Sequence, residues 1–259
     1  MSETSARPQK PLHPRSKAIV IGASSGFGAA LARRLAAAGW DLGLASRRLP
    51  ELERLAEELR EAHGVHAVVR QHDVKDTGDA LPALEELSRR LEGLDLFIYN
   101  AGIMYPQDPD RYEPAEDVET LQVNLVGAAA WISPVAERFA RAGQGHIVGV
   151  GSIAGERGRR ALPAYSASKA GLHTYLEGVR NRVSRHGVTV TTLKPGQIRT
   201  AMLEGAAKVR GPIEPAEAAD LAWRAIERGT QVAYIPSRWA LVGLVIRNIP
   251  SFIFRRLNL

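Results

Sequence analysis

Lys17-Ala-Ile-Val-Ile21-Gly22-Ala-Ser-Ser-Gly26-Phe-Gly28 is the stretch that decides the fold of this 259-residue chain. Its apolar run predicts a buried strand, the glycine-rich turn follows, and residues 29–38, rich in Ala, Leu and Arg, predict a helix. A strand, a glycine turn and a helix in this order form a dinucleotide-binding unit. The glycines would let the backbone approach a pyrophosphate, whose charge the helix N-terminus favours. A purely structural loop is the alternative.

The rest of the chain continues this alternation of strands and helices. Further strands are predicted at residues 41–46, 65–71, 94–99, 146–151, 188–193 and 232–235. Helices are predicted at residues 50–63, 81–91, 118–142, after residue 165, and at 216–228, with a mobile excursion at 202–215. This order predicts an α/β protein with a Rossmann-type doubly wound parallel sheet of about seven strands and helices on both faces. Ligands are then expected at the carboxyl ends of the strands.

Composition limits the classes of function. The chain has no cysteine, which removes disulfides, thiolate catalysis and cysteine-ligated metal sites. Residues 1–16 are polar, contain three prolines and lack the apolar core of a signal peptide, so we expect a flexible tail. One domain is expected over residues 17–238, followed by an apolar and basic segment at 239–259. No run is long enough to span a membrane, and a cytoplasmic protein is expected, with membrane association left open.

The end of the second predicted strand bears on the choice of dinucleotide. An acidic residue at this position would bind a free ribose 2′-hydroxyl, but the sequence has Ser46, followed by Arg47 and Arg48. A guanidinium suits a 2′-phosphate. The sequence therefore favours NADP(H), with NAD(H) possible, unless the two arginines only solvate a loop.

Ser152, Tyr165 and Lys169 are the candidate catalytic residues. Ser152 ends a predicted strand, and Tyr165 opens a predicted helix with Lys169 one turn later on the same face. A lysine ammonium there is expected to lower the tyrosine pKa toward working pH, as a phenolic acid/base requires. The Ser152 hydroxyl could donate to the substrate oxygen. A tyrosine and a lysine on an ordinary amphipathic helix are the alternative for this pair alone.

Seven features follow one another along the chain: Gly22-x-x-x-Gly26-x-Gly28, Asp73, Asn100-Ala101-Gly102, Asn124, Ser152, Tyr165-x-x-x-Lys169 and Pro195-Gly196-x-Ile198-x-Thr200. In this order they resemble the single-domain short-chain dehydrogenases/reductases over residues 17–236. The resemblance implies a metal-free carbonyl reductase or alcohol dehydrogenase, in which hydride passes between the nicotinamide and a carbonyl carbon. One departure is Tyr99, which stands where the family often has Asn.

The resemblance also implies a role for each matched residue. Tyr165 would be the acid/base, Lys169 would lower its pKa and bind the nicotinamide ribose, Ser152 would polarise the carbonyl, and Asn124 would hold the water of a proton relay. The expected cofactor contacts are Gly22, Ser24, Ser25, Gly26, Phe27, Gly28, Ser46, Arg47, Arg48, Asp73, Val74, Asn100, Ala101, Gly102, Tyr165, Lys169, Pro195, Gly196, Ile198 and Thr200. Asp73 and Val74 would flank the adenine, and Ile198 and Thr200 would hold the carboxamide.

Two further features concern the substrate. Arg157, Arg159 and Arg160 lie between Ser152 and Tyr165 and could clamp a phosphate, although a solvated loop or a subunit contact is equally compatible. Residues 239–259 interleave apolar side chains with arginine, which suits an anionic membrane surface, a cover over the substrate pocket, or a subunit contact. Together these features resemble polyprenyl-phosphoryl 2-keto-pentose reductases, which implies a lipid-linked, phosphorylated ketone.

Two other classes of function fit the sequence less well. A catalytically idle NADP(H)-binding redox sensor or membrane scaffold would be expected to lose Tyr165, Lys169 or Ser152, and all three are present. The net charge of +6 permits nucleic-acid binding, but only the C-terminus interleaves aromatic and basic residues, so no nucleic acid is expected. A homodimer or homotetramer is expected through the helices around Asn124 and after Tyr165, where the resemblance places subunit contacts.

Overall fold

Seven parallel strands form the centre of the molecule, as the alternating pattern predicts. The computed structural model describes residues 15–105, 108, 110, 112–203 and 211–257. The strands are β1 (Lys17–Ile21), β2 (Asp41–Ser46), β3 (Ala67–Gln71), β4 (Leu96–Tyr99), β5 (Gly145–Val150), β6 (Val188–Pro195) and β7 (Val232–Ile235). They pair in the order β3-β2-β1-β4-β5-β6-β7, and every pair is parallel. The order reverses direction between β1 and β4, where a doubly wound sheet binds its ligand.

Helices cover both faces of this sheet, so the central strands β1 and β4 are almost fully buried. The helices are α1 (Gly26–Ala37), α2 (Leu49–His63), α3 (Ala80–Leu91), α4 (Pro114–Leu121), α5 (Gly127–Ala142), α6 (Pro163–Val183), α7 (Pro215–Glu227), α8 (Trp239–Asn248) and α9 (Ser251–Phe254). One core contains residues of α1, α2 and α7, and the other contains residues of α3, α5 and α6. Trp223 belongs to the first core and Trp131 to the second, so each face contains a large aromatic residue.

The long helix predicted over residues 118–142 is interrupted in its middle. Helix α4 starts earlier, at Pro114, and passes into a π-helical turn, Gln122–Val126, before α5 continues. The Tyr99 hydroxyl, on the neighbouring strand, donates to the Val123 carbonyl of this turn at 2.7 Å. The tyrosine that departs from the family pattern therefore stabilises the turn that carries Asn124.

The C-terminal segment folds as the two short helices α8 and α9. Gly243 of α8 lies so close to Ile153, in the turn after β5, that an added Cβ would come within 2.9 Å of its side chain. The segment is therefore packed beside the carboxyl end of the sheet. No helix in the described part of the chain combines the length and the apolar character that a membrane crossing requires. The predicted excursion at 202–215 and the N-terminal tail at 1–16 lie largely outside the described residues.

Candidate active site

A cleft of about 700 Å³ opens at the carboxyl ends of the strands. Most of the predicted site residues line it: Gly22, Ser24, Ser25, Gly26, Phe27, Ser46, Arg47, Arg48, Asp73, Val74, Asn100, Ala101, Gly102, Ser152, Arg159, Tyr165, Lys169, Pro195, Gly196, Ile198 and Thr200. Gly28, Asn124, Arg157 and Arg160 are not on its surface. The cleft therefore joins the glycine turn, the strand ends and the candidate catalytic residues in one space.

The glycine turn is shaped to accept a phosphate. Gly22 and Gly26 have positive φ angles of 82° and 55°, a region that favours glycine. Helix α1 starts at Gly26, no side chain caps its first amides, and its first turn contains no acidic residue. The open helix N-terminus and its dipole thus fit the pyrophosphate of a dinucleotide.

Gly28 has a different role from the predicted phosphate contact. An added Cβ at Gly28 would lie 2.1 Å from the Gly22 carbonyl oxygen and 2.4 Å from the Asn100 side-chain nitrogen. The Asn100 amide donates to the same carbonyl at 2.9 Å. Gly28 therefore allows the first turn of α1 to pack against the loop, and Asn100 fixes that loop to the end of β4.

The end of β2 has the predicted basic character. The Arg48 guanidinium donates to the Ser24 hydroxyl at 2.9 Å and to the Ser25 hydroxyl, so it binds the glycine turn to the end of β2. The Ser46 hydroxyl accepts from the Arg48 backbone amide at 3.2 Å. Of these two arginines, only Arg47 has no side-chain bond to another described residue, and it also lines the cleft. Arg47 is thus the one of the two whose charge is available to a ribose phosphate.

Ser152, Tyr165 and Lys169 meet at the other end of the cleft, and all three are buried. Tyr165 is the third residue of α6, and Lys169 follows one turn later. The Lys169 ammonium donates to the Val150 carbonyl at 2.9 Å and lies 5.8 Å from the centre of the Tyr165 ring. The Ser152 hydroxyl accepts from the Ala154 amide at 3.1 Å and caps a short 3₁₀ turn. A reacting oxygen between the two hydroxyls would meet both donors.

The pKa of Tyr165 differs from the sequence-based expectation. Burial raises it above its ordinary value, and the influences that lower it are a hydrogen bond with Ser152 and the nearby charge of Arg159, not Lys169. Burial lowers the pKa of Lys169 itself to about 8. The expectation that Lys169 shifts Tyr165 toward the phenolate is wrong for the protein without ligands, because desolvation of the phenol dominates. Tyr165 is therefore a protonated donor at neutral pH.

Asn124 is fully buried behind the cleft rather than solvated. Its side-chain oxygen accepts from the Ile103 amide at 2.8 Å, and its side-chain nitrogen donates to the Ile103 carbonyl at 2.9 Å and to the Ser168 hydroxyl at 3.0 Å. An added Cβ on Gly102 would lie 3.3 Å from the Asn124 oxygen and 3.4 Å from the Lys169 nitrogen. Asn124 thus links the loop after β4 to α6 and lies close to the lysine.

His173 is a residue of the site that the sequence analysis missed. It lies one turn beyond Lys169 on α6, and its Nε2 accepts the Ser152 backbone N–H at 3.3 Å. Burial lowers its pKa to about 3, with the Lys194 charge acting in the same direction, so the ring is neutral and can accept. The spacing Tyr165, Lys169, His173 places all three residues on one helix face, which is the signal that could have identified it.

The three arginines of residues 156–160, the arginine loop, do not act together. Arg157 points toward the C-terminal helices, donates to the carbonyls of Ile246, Arg247 and Ile249, and lies 4.4 Å above the Phe254 ring. Arg160 is exposed. Of the three, only Arg159 lines the cleft. The predicted clamp of Arg157, Arg159 and Arg160 therefore does not form, because Arg157 is bound by the C-terminal helices and Arg160 is exposed away from the cleft lining.

Glu156 forms a buried ionic cluster beside the same loop. Its side chain is 4% exposed, and it accepts from the Lys194 ammonium at 2.6 Å and from the Tyr234 hydroxyl at 2.9 Å. Arg247 of α8 lies 3.8 Å from its second oxygen. Burial alone would raise the pKa of Glu156, but these hydrogen bonds outweigh it and hold the pKa below its ordinary value. The cluster connects the loop after Ser152 with β6, β7 and the C-terminal segment.

Several known proteins are similar to this chain in sequence and fold. The sequence profile of the short chain dehydrogenase family matches residues 16–210. An uncharacterized oxidoreductase of Myxococcus xanthus is 35% identical over 242 residues, which are 92% of this chain and 94% of the relative. Sulfoacetaldehyde reductase 2 of Chromohalobacter salexigens is 34% identical over 184 residues, 70% of this chain and 72% of the relative.

Among solved structures, a short-chain dehydrogenase from Sphingobium yanoikuyae in complex with NADPH superposes with a TM-score of 0.78 at 27% identity. The superposition covers 91% of this chain and 97% of that one. The family profile, these relatives and the geometry of the cleft lead to one conclusion: this chain is an oxidoreductase of the short-chain dehydrogenase family.

Proposed function

We propose that this chain reduces a ketone or an aldehyde to the alcohol with NADPH, and reversibly oxidises the alcohol. The observation that carries the proposal is the meeting of Ser152, Tyr165 and Lys169 in one buried corner of a cleft whose other end is the glycine turn. NADPH, when bound, supplies the hydride. Strand β2 ends in Ser46 rather than an acidic residue, and the next residue, Arg47, is positively charged; both features support NADPH over NADH. The Sphingobium yanoikuyae relative, whose structure is a complex with NADPH, supports the same choice.

The side chains of this corner supply the protons and the orientation. The Ser152 hydroxyl donates to the carbonyl oxygen and polarises the bond, and Tyr165 gives its proton to that oxygen as negative charge develops there. The raised pKa of Tyr165 suits this direction, because the phenol is protonated before the reaction. Lys169, held by the Val150 carbonyl, and Asn124 beside it lie where a proton could be returned to Tyr165. His173 positions Ser152 through its backbone amide.

The test compares Tyr165→Phe with the wild type for NADPH and NADH oxidation over a panel of ketones and aldehydes. Loss of the phenolic proton is expected to lower kcat by about 10²- to 10⁴-fold, with the Kd for NADPH nearly unchanged. Tyr175→Phe is a matched control, because Tyr175 lies on the same helix but not on the cleft. Full activity in Tyr165→Phe would contradict the assignment. Tight NADPH binding without turnover would instead favour the idle redox sensor.

We also propose that the C-terminal segment contacts an anionic membrane surface, which would suit a lipid-linked or phosphorylated substrate. Its apolar side chains Leu241, Leu244, Val245, Phe252 and Ile253 are exposed, and its charged side chains are all arginines: Arg247, Arg255 and Arg256. Co-sedimentation with phosphatidylglycerol vesicles, but not phosphatidylcholine vesicles, is expected. Leu244→Ser should weaken it and Leu81→Ser, an exposed leucine on α3, should not. Equal binding by both variants would contradict the proposal.

Subunit contact through α5 and α6 is the remaining part of the proposal. A groove of about 660 Å³ runs between these helices and is lined by both apolar and charged residues. Members of the family are commonly oligomeric. Light scattering after size exclusion should give the mass of a dimer or a tetramer. Ser133→Arg, at an exposed position of the groove, should shift the mass toward the monomer. A monomeric wild type would contradict this part.

A further inference from the structure

Arg159 lies between Ser152 and Tyr165 in the chain, and its backbone is held beside the first turn of α6. Its backbone amide donates to the Ser166 hydroxyl at 3.4 Å, and the Leu162 amide donates to its carbonyl at 3.2 Å. The arginine loop is thereby tied to the first turn of α6. The Arg159 side chain lines the same cleft as Ser152 and Tyr165, and its charge lowers the pKa of Tyr165.

The guanidinium of Arg159 is unpaired in the described part of the chain. Within residues 15–105, 108, 110, 112–203 and 211–257, it makes no hydrogen bond and no ion pair through its side chain. Arg157, two residues earlier, bonds three carbonyls, and Arg180 on α6 bonds the Val190 and Gln231 carbonyls. Burial lowers the pKa of Arg159, whose side chain is only partly exposed, so its charge is partly desolvated and has no counter-ion among the described residues. Such a charge is costly unless a ligand supplies the partner.

The surroundings of Arg159 strengthen its attraction for an anion. Ala161 and Leu162 form the adjacent wall of the cleft, and both are partly buried and apolar. Two carboxylates line the cleft among the described residues, and neither bonds Arg159. Asp73 accepts the Lys75 amide at 3.0 Å, and Asp108 is exposed and accepts the Asp110 amide at 3.0 Å. A charged hydrogen bond in a partly desolvated pocket is stronger than the same bond in water.

We propose that Arg159 is an anion subsite for the substrate: the carbonyl compound carries a carboxylate, sulfonate or phosphate that this guanidinium binds while the carbonyl lies between Ser152 and Tyr165. The proposal rests on the reductase function proposed above. In this proposal the guanidinium of Arg159 alone takes the role that the sequence assigned to three arginines. A planar guanidinium can bind two oxygens of such a group at once. The substrate is thus expected to have its anionic group near the carbonyl.

Equilibrium binding to the enzyme saturated with NADP⁺ tests the subsite without requiring turnover. Two matched pairs serve as probes: 4-oxobutanoate with its methyl ester, and dihydroxyacetone phosphate with dihydroxyacetone. In the wild type, at least one anion is expected to bind about 10- to 100-fold tighter than its neutral partner, as a charged hydrogen bond allows. The preferred pair distinguishes a carboxylate from a phosphate. Arg159→Gln should remove the preference, Arg159→Lys should restore part of it, and Arg160→Gln, an exposed neighbour, should leave it intact.

The outcomes separate this proposal from its alternatives. Absence of an anion preference in the wild type, or an unchanged preference in Arg159→Gln, overturns the subsite even if neutral ketones are reduced. If the wild type prefers the anionic probes but NADPH reduces none of the probes, the anion subsite stands and the proposed reductase function is contradicted. If Arg159→Gln lowers kcat equally for anionic and neutral compounds and shifts the pH profile, Arg159 acts only through the Tyr165 pKa, which also overturns the subsite. The Kd for NADP⁺ should be unchanged.

Discussion

The two ends of the cleft are held together in different ways. At the cofactor end, close backbone packing and amide hydrogen bonds fix the loop, as between Gly22, Gly28 and Asn100. At the substrate end, buried ionisable side chains make the long-range contacts, with Glu156, Lys169 and His173 all shielded from solvent. The first arrangement depends on the absence of side chains. The second depends on the charge and the protonation of side chains that are present.

This difference predicts two kinds of sensitivity. A backbone-packed loop tolerates changes of pH but not added volume, since a Cβ has no space to occupy. A buried ionic cluster tolerates small changes of shape but not the loss of one partner, since the other charge stays buried without compensation. Three substitutions test whether the two ends of the cleft differ in this way.

Glu156→Ala is expected to have the largest effect on stability. It leaves the Lys194 ammonium, only 12% exposed, without its carboxylate, which should lower the free energy of unfolding by about 3 to 5 kcal/mol. Urea unfolding measures the loss. Glu214→Ala is the control, because its ion pair with Arg199 is more than 60% exposed and should contribute less than about 1 kcal/mol. NADPH affinity should change little if the two ends are independent, and an equal loss of affinity would refute that independence.

Gly28→Ala tests the cofactor end. The added methyl group meets the Gly22 carbonyl and the Asn100 amide, so the loop must shift, at a cost of about 2 to 3 kcal/mol. NADPH binding should weaken together with stability. Gly78→Ala, in the loop before α3, is the control: its Cβ would come no closer than 3.6 Å to a neighbouring atom, and alanine should be neutral or raise the free energy of unfolding by up to about 1 kcal/mol. If Gly28→Ala bound NADPH normally, the packing argument would fail.

Replacing His173 is expected to have the smallest of the three effects on stability, and this effect should depend on pH. Its pKa is about 3 in the folded protein and about 6.5 in the unfolded chain. Below pH 6.5 the unfolded chain binds a proton that the folded protein does not, so stability is lost as the pH falls toward 3. Between pH 7 and pH 5 this residue should account for about 2 kcal/mol of that loss. Unfolding of His173→Gln should show the loss reduced by this amount, while exposed His66→Gln should match the wild type.

The sequence predicted the cofactor end well because its determinants are local. Strands β1, β2 and β7 have the bounds that the apolar runs predict, and the glycine turn follows β1 directly. The corner formed by Ser152, Tyr165 and Lys169 was also foreseen, since helical spacing places two of its members on one face.

The substrate end was predicted less well because its contacts join residues far apart in the chain. Arg157 bonds carbonyls about 90 residues away, and no pattern around the loop distinguishes it from Arg159. The Tyr165 pKa was misjudged because helical spacing reveals a neighbouring lysine but not the degree of burial, which decides the direction. Glu156 directly precedes Arg157 in the chain, yet its partners Lys194 and Tyr234 come from strands that follow much later.

The π-helical turn at Gln122–Val126 makes the position of Asn124 depend on chain length. Such a turn contains one residue more than the α-helix would need to cover the same distance. Deleting one residue there would restore a regular helix and rotate one side of it by about 100° relative to the other. Either Asn124 or the side chains of α4 would then face another direction, although none of the remaining residues had been substituted. An alignment that treats residues 114–142 as one uniform helix would therefore pair the wrong residues on one side of the turn, and a chimera built from it would lose the contact with Ile103.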